Sequence, residues 1–155
     1  MAIYGIGAMY GRSVNKKDEF LINDCACIGW EKEDAPALHK MFQKIKVGDF
    51  LYIKSFVVNK KELRVKAVGI VIDDTIKNFK LGQGITVKWL WDSGINPKII
   101  DITESIYKNN VFNNTLYEEH NACIQEEILK LGIEERNLNN SIDDILKVSR
   151  NKGSV

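Results

Sequence analysis

Along the chain hydrophobic residues alternate, then recur with a helical period, then alternate again, and that succession predicts the elements. In the opening AIYGIGAMYG, Ile3, Gly5, Gly7 and Met9 share one parity and Tyr4, Ile6, Ala8 and Tyr10 the other, as in a strand broken by glycines. GRSVNKKDEF is polar enough to predict a loop, and LINDCACIGW predicts a returning strand interrupted by Asn23 and Asp24. Asp34 then stands at an N-cap and Pro36 in a first turn, while Leu38, Met41, Phe42 and Ile45 recur at helical spacing. Gly48 and Asp49 end that helix in a turn.

The following strand, FLYIKSFVV, sets Leu51, Ile53, Ser55 and Val57 on one face, leaving Ser55 as a hydroxyl on a mainly aliphatic surface. NKKE is a turn, and LRVKAVGIVIDD alternates in its first half and is apolar on both faces in its second, with Gly69 predicted to mark a bend or bulge. TIKNFKLGQG is a loop or ribbon, ITVKWLWD a strand with Ile85, Val87, Trp89 and Trp91 on one face, and SGINPKIIDI a turn with a further short strand. From Leu116 the period becomes helical, through His120, Ile124, Ile128 and Leu131. NLNN reads as a loop before a capping-box pattern at Ser141 and Asp144, and NKGSV as a frayed tail. The expected fold is therefore α+β: a small bent antiparallel β-barrel of five or six strands over residues 1–115, with an inserted helix. C-terminal helices over 116–155 are expected to pack on the same domain.

Composition narrows this picture. With 155 residues, 45% of them hydrophobic and 28% charged, the chain suits one packed core. Its 22 basic and 21 acidic residues give a net charge of +1, so no global basic field exists and any nucleic-acid contact must come from a local patch. Cysteines at 25, 27 and 123, with no secretory signal read from the sequence, predict reduced thiols in a cytoplasmic protein. No apolar run approaches the roughly 18 residues of a membrane span, so no membrane partner is expected.

Candidate chemistry is sparse. Cys25 and Cys27 could both ligate a metal, but structural zinc sites prefer wider spacings and two further ligands, and Cys123, His39 and His120 are isolated; core thiols are the expectation and no metal is assigned. Nucleophilic catalysis would need a base beside a serine or cysteine, and neither His39 nor His120 belongs to such a motif, so a non-enzymatic protein without a cofactor is expected. GIGAMYG lacks the helix and acid that would make it a dinucleotide fingerprint. More informative are the aromatics Tyr10, Trp30, Trp89 and Trp91, with a positive rim available from Arg12, Lys54, Arg64, Lys66 and Lys88. Planar bases stack on such rings. Trp89 and Trp91 share parity with core aliphatics, whereas Tyr10 and Trp30 stand beside glycines at strand–loop junctions, where aromatics border clefts. Ser55 could bond neighbouring backbone or read a base edge, and Asp24 or Asn23 could accept from an exocyclic amine.

The order of IYGIGAMYG, CIGW, the helix APALHKMFQ, and IKVGDFLYIKSF followed by LRVKAVGIVIDD resembles the PUA-like superfamily, and within it the EVE and YTH-related domains. The resemblance runs from Ile3 to Ile102. It implies a barrel that holds a modified base in a pocket bordered by Trp30, Met9 and Tyr10, with Ser55 near the ligand. The expected partner is then DNA or RNA carrying a modified base, with Lys54, Arg12 and Lys66 on phosphates. Two alternatives are a pocket for a free nucleotide in a mobile-element or defence system, and an adaptor acting through the C-terminal helices, with a homodimer among the expected partners.

Overall fold

The computed structural model describes residues 1–11, 13–102 and 115–152. In chain order the elements are β1 (Ile3–Gly7), β2 (Met9–Tyr10), β3 (Val14–Asn15), α1 (Lys17–Ile22), β4 (Cys25–Ile28), α2 (Pro36–Phe42), β5 (Phe50–Val57), a 3-10 turn (Val58–Lys60), β6 (Glu62–Phe79), β7 (Gly82–Asp92), β8 (Lys98–Asp101), β9 (Leu116–Glu118) and α3 (Ala122–Lys152). Seven strands form one sheet in the order β4-β7-β6-β5-β1-β9, with β8 also paired to β6.

This corrects the expected antiparallel barrel. Among the described residues the sheet is open, because β4 pairs only with β7 and β9 only with β1, and it is mixed, because β1 runs parallel to β5 from Ile3 opposite Phe50 to Gly7 opposite Lys54. A parallel pair needs a long crossover, and the chain from β2 to α2 supplies it.

Both faces of the central strands are buried. Leu51 and Ile53 of β5 join Phe20 of α1, Phe42 of α2 and Ile85 in one core, whereas Phe50 and Tyr52 join Leu63, Ile124 and Ile128 in another. The short helices thus cover one face and the start of α3 the other.

One turn ties three strands together. Gly48 adopts a φ of +90°, and the buried Asp49 carboxylate accepts the Ala2 N–H at 2.9 Å and the Lys46 N–H at 2.8 Å. The Asp49 carbonyl accepts from Val71 N–H at 2.9 Å, and the Val71 carbonyl accepts from Gly48 N–H at 2.9 Å. β1, β5 and β6 are thereby fixed in register at one end.

The ribbon of β6 and β7 carries the bulges. Pairing shifts between Val68/Trp91 and Gly69/Trp89, leaving Leu90 as the extra residue. Simple alternation placed Trp89 and Trp91 on one face; the bulge separates them, Trp89 packing on the first core and Trp91 on the second. A Cβ at Gly69 would lie 2.6 Å from Val87 Cγ1 and 2.8 Å from Trp89 Cε3, so the crossing needs glycine. TIKNFKLGQG, read as loop or ribbon, is the ribbon's far end, since Phe79 faces Gly82 across the turn.

Other expectations are corrected as well. GRSVNKKDEF contains β3, which pairs with β2, and the start of α1, where Asn15 Oδ1 accepts the Lys17 N–H and Phe20 is fully buried. Six helical residues are too few to show a period. The α2 N-cap is Ala35 rather than Asp34, and the helix ends at Phe42, with Ile45 buried just beyond. Leu116 is strand rather than helix, and His120 is an exposed residue before α3. Asn121 begins that helix, its Oδ1 accepting the N–H of Cys123 and Ile124 at 3.0 and 3.1 Å. NLNN lies within α3, and Ser141 caps nothing, because its hydroxyl donates to the Asn137 carbonyl one turn back. Among the described residues no helix is long and apolar enough to cross a membrane.

Asp49→Ala should cost about 3 kcal/mol, because two backbone donors lose a charged acceptor, and Asp49→Asn, which keeps one acceptor oxygen, should cost less. Urea titration at constant m checks this; equal midpoints for wild type and Asp49→Ala would show that the carboxylate is not the tie.

Candidate functional site

Trp30 follows β4 and Gly29 and is 56% exposed, an unusual state for a large indole. Its place is set through the backbone. The buried His39 of α2 donates from Nε2 to the Trp30 carbonyl at 2.7 Å, which fixes the proton on that nitrogen. Tyr10, at the end of β2, lies against the same segment: a Cβ on Gly29 would fall 3.0 Å from Tyr10 Cε2. The Tyr10 hydroxyl donates to the Leu81 carbonyl at 2.7 Å in the β6–β7 turn, and burial raises its pKa.

Two clefts flank Trp30. One, of about 450 Å³, is walled by Tyr10, Lys16, residues 28–31, His39 and the β6–β7 turn from Asn78 to Gln83. Its walls offer the amides of Asn78 and Gln83, the Glu31 carboxylate, and the Lys16 and Lys80 ammonium groups. The other, of about 700 Å³, runs between residues 34–38 with Met41 and the β9 segment from Thr115 to Glu118, with His120 at its edge. It is the more apolar of the two. A third cleft, of about 550 Å³, lies between the β3–α1 junction, Ser55 of β5, Arg64 and Lys66 of β6, and the turn after β7.

The structure therefore distributes the residues singled out in the sequence. Tyr10 and Trp30 share the 450 Å³ cleft, and Ser55 and Lys66 share the third with Arg64. Lys54 lies elsewhere, its ammonium 5.4 Å from the centre of the Tyr117 ring, and burial pushes its pKa down to about 8. Trp89 is half-buried and donates from Nε1 to the Phe20 carbonyl at 3.0 Å, and Trp91 packs on the second core, so neither lines a cleft described here. Asp24 is exposed in the turn between α1 and β4, with a φ of +48°, and its carbonyl accepts the Val87 N–H. Arg12 lies outside the described residues. Lys88 is exposed on β7.

Cys25 and Cys27 are buried with their sulfurs 3.6 Å apart, and their hydrogen bond together with burial holds the Cys27 thiol protonated. Among the described residues no three His, Cys, Asp or Glu side chains gather where they could hold a metal ion.

The sequence reading missed His39 as the support of Trp30, the polar wall of the β6–β7 turn, and Lys17. The polar wall gave no signal because Asn78 and Gln83 lie in a segment whose strand or loop state was undecided. Lys17 is buried despite its charge, with Nζ 2.5 Å from Asp92 Oδ1 and 3.1 Å from the Gly94 carbonyl.

Beneath Lys54 runs a buried polar chain. Tyr52 donates to Glu119 Oε1 at 2.9 Å, so the 2.6 Å contact between the Tyr52 and Tyr117 hydroxyls is a bond donated by Tyr117. Gly5 makes room for both rings, since a Cβ there would lie 2.6 Å from Tyr117 Cζ. No protein-family model matches the chain, and none of the curated proteins compared matches its sequence.

Burial raises the Glu119 pKa above its ordinary 4.5, outweighing the hydrogen bonds that favour its charged form. The stability this contributes is present below that ordinary value and is lost as pH rises through the raised one. Wild type should therefore lose stability from pH 4.5 upward relative to Glu119→Gln, which cannot ionise, in urea midpoints taken across pH. Parallel profiles would place the Glu119 pKa at its ordinary value.

Proposed function

We propose that this chain is a non-catalytic binding module that takes a base of DNA or RNA, with a modified base as the preferred form, in the cleft between Tyr10 and Trp30. The observation that carries the reading is the exposed Trp30 indole, on a backbone held by His39, at the edge of a cleft whose other walls include amide and carboxylate residues. A planar ligand needs both parts. The ring supplies a stacking surface worth about 1–3 kcal/mol per base, and amides and carboxylates can hydrogen-bond to a base edge.

The cleft volume of about 450 Å³ lies within the range of small-ligand pockets, roughly 300–1,000 Å³. The ordered segments that resemble PUA-like and EVE domains agree with this reading, as does a cytoplasmic setting for the thiols of Cys25 and Cys27. A net charge of +1 supports a second reading, in which the same cleft takes a free nucleotide, because little long-range attraction to a polyanion is available.

Trp30→Ala should weaken binding of a short methylated-base oligonucleotide by about 5- to 150-fold, the equivalent of one stacked base, with the fold retained by circular dichroism. Fluorescence anisotropy against modified and unmodified oligonucleotides measures this. Equal affinity for the two would remove the modified base from the reading, and a melting shift with mononucleotides alone would assign the free nucleotide.

A further inference from the structure

The third cleft gathers cations beyond what its own carboxylates satisfy. Lys17, Arg64 and Lys66 line it together with Asp18 and Asp92. Asp92 is committed to Lys17, and Asp18 is exposed. Arg64 has Glu62 Oε2 at 3.5 Å from one terminal nitrogen as an ion pair, while Arg64 Nε and that same Glu62 oxygen are both buried without a hydrogen-bond partner. The half-buried Lys66 ammonium has no acceptor among the described residues, and neither has the Ser55 hydroxyl. Burial and the charges of Lys17 and Arg64 lower the Lys66 pKa, as expected of an ammonium set among like charges.

Two kinds of donor are therefore left over in one cleft, an ammonium and a hydroxyl, beside an Arg64 guanidinium whose buried Nε is unpartnered. Half-buried cations set close together repel one another, and an oxyanion that can accept several hydrogen bonds at once relieves that repulsion while engaging the Lys66 ammonium and the Ser55 hydroxyl. A phosphate fits this demand better than a carboxylate, since it carries more acceptor oxygens and more charge.

We propose that the cleft formed by Lys17, Ser55, Arg64 and Lys66 is a phosphate-binding subsite, distinct from the Tyr10–Trp30 cleft. Lys66 and Arg64 neutralise the oxyanion, Ser55 donates to it, and Lys17, held by Asp92 and Gly94, adds charge from the wall. The subsite stands on these donors alone. That it serves the same ligand as the base cleft rests on the function proposed above, and the path of the chain favours the connection. Lys16 lines the base cleft and Lys17 the phosphate cleft, so the two are flanked by consecutive residues whose Cα atoms are about 3.8 Å apart.

The test uses the full chain titrated with sodium phosphate against sodium chloride at matched ionic strength, followed by melting temperature and by the side-chain amine resonance of Lys66. A saturable response to phosphate beyond that of chloride is expected, with the Lys66 pKa moving upward as the anion binds. Lys66→Gln and Ser55→Ala should each weaken it at least fivefold, and Trp30→Ala should leave it unchanged. No response beyond chloride, or an undiminished one in both Lys66→Gln and Ser55→Ala, would overturn the proposal. Should Lys66→Gln fail to fold, Ser55→Ala and the Lys66 resonance in wild type carry the same decision. A nucleoside monophosphate and a short oligonucleotide then compete against phosphate, and the stronger competitor identifies the source of the group. Phosphate binding without any gain from an attached base would keep this subsite and remove the base-binding function.

Discussion

The Asp49 carboxylate holds the architecture in register. It lies where a helix-linked turn meets the first residue of β5, and its two oxygens bind the backbone of Ala2 and Lys46. The main chain of the same residue binds Val71. A parallel pair such as β1 with β5 has no hairpin to set its alignment, because the strands are joined through the whole segment that carries α1, β4 and α2. A slip of one residue would exchange the two cores, since Leu51 and Phe50 serve opposite faces of one strand. A buried carboxylate with two backbone donors makes that slip unfavourable.

Local chemistry made much of the scaffold legible in the sequence. The spacing of Leu38, Met41 and Phe42 announced α2, Gly48 and Asp49 announced the turn, and the alternations of β5, β6 and β7 were visible because each runs for eight or more residues. The non-local features were not legible. Alternation predicts that a strand exists without saying whether its neighbour is parallel, and it cannot distinguish a closed barrel from an open sheet whose edge strands are as short as Cys25–Ile28 and Leu116–Glu118. The bulge at Leu90 defeats alternation outright, since one inserted residue sends Trp89 and Trp91 to different cores.

The same distinction runs through the candidate site. Tyr10 and Trp30 were identifiable because aromatics beside glycines at strand–loop junctions often border clefts; they line one cleft, and Tyr10 packs on the first core as well. Ser55 stood out as a hydroxyl on an aliphatic face, yet its neighbours Lys17 and Arg64 come from segments far apart in the chain. A cluster assembled from β5, β6 and the start of α1 leaves no spacing to detect. Lys54 could not be placed in the same way: as a lysine on a strand it read as part of a cationic rim, and the structure sets its ammonium over the Tyr117 ring above a buried polar chain.

The hydrogen bond from His39 to Trp30 has a consequence for substitution at residue 30. It grips the carbonyl of residue 30 and makes no demand on the indole. Any side chain at this position would be presented from the same backbone, so the residue facing the two clefts can change while the framework holding it stays intact. Surface chemistry and foldability are thus separable at this point: a substitution at residue 30 changes the face turned to the two clefts and leaves its mount in place.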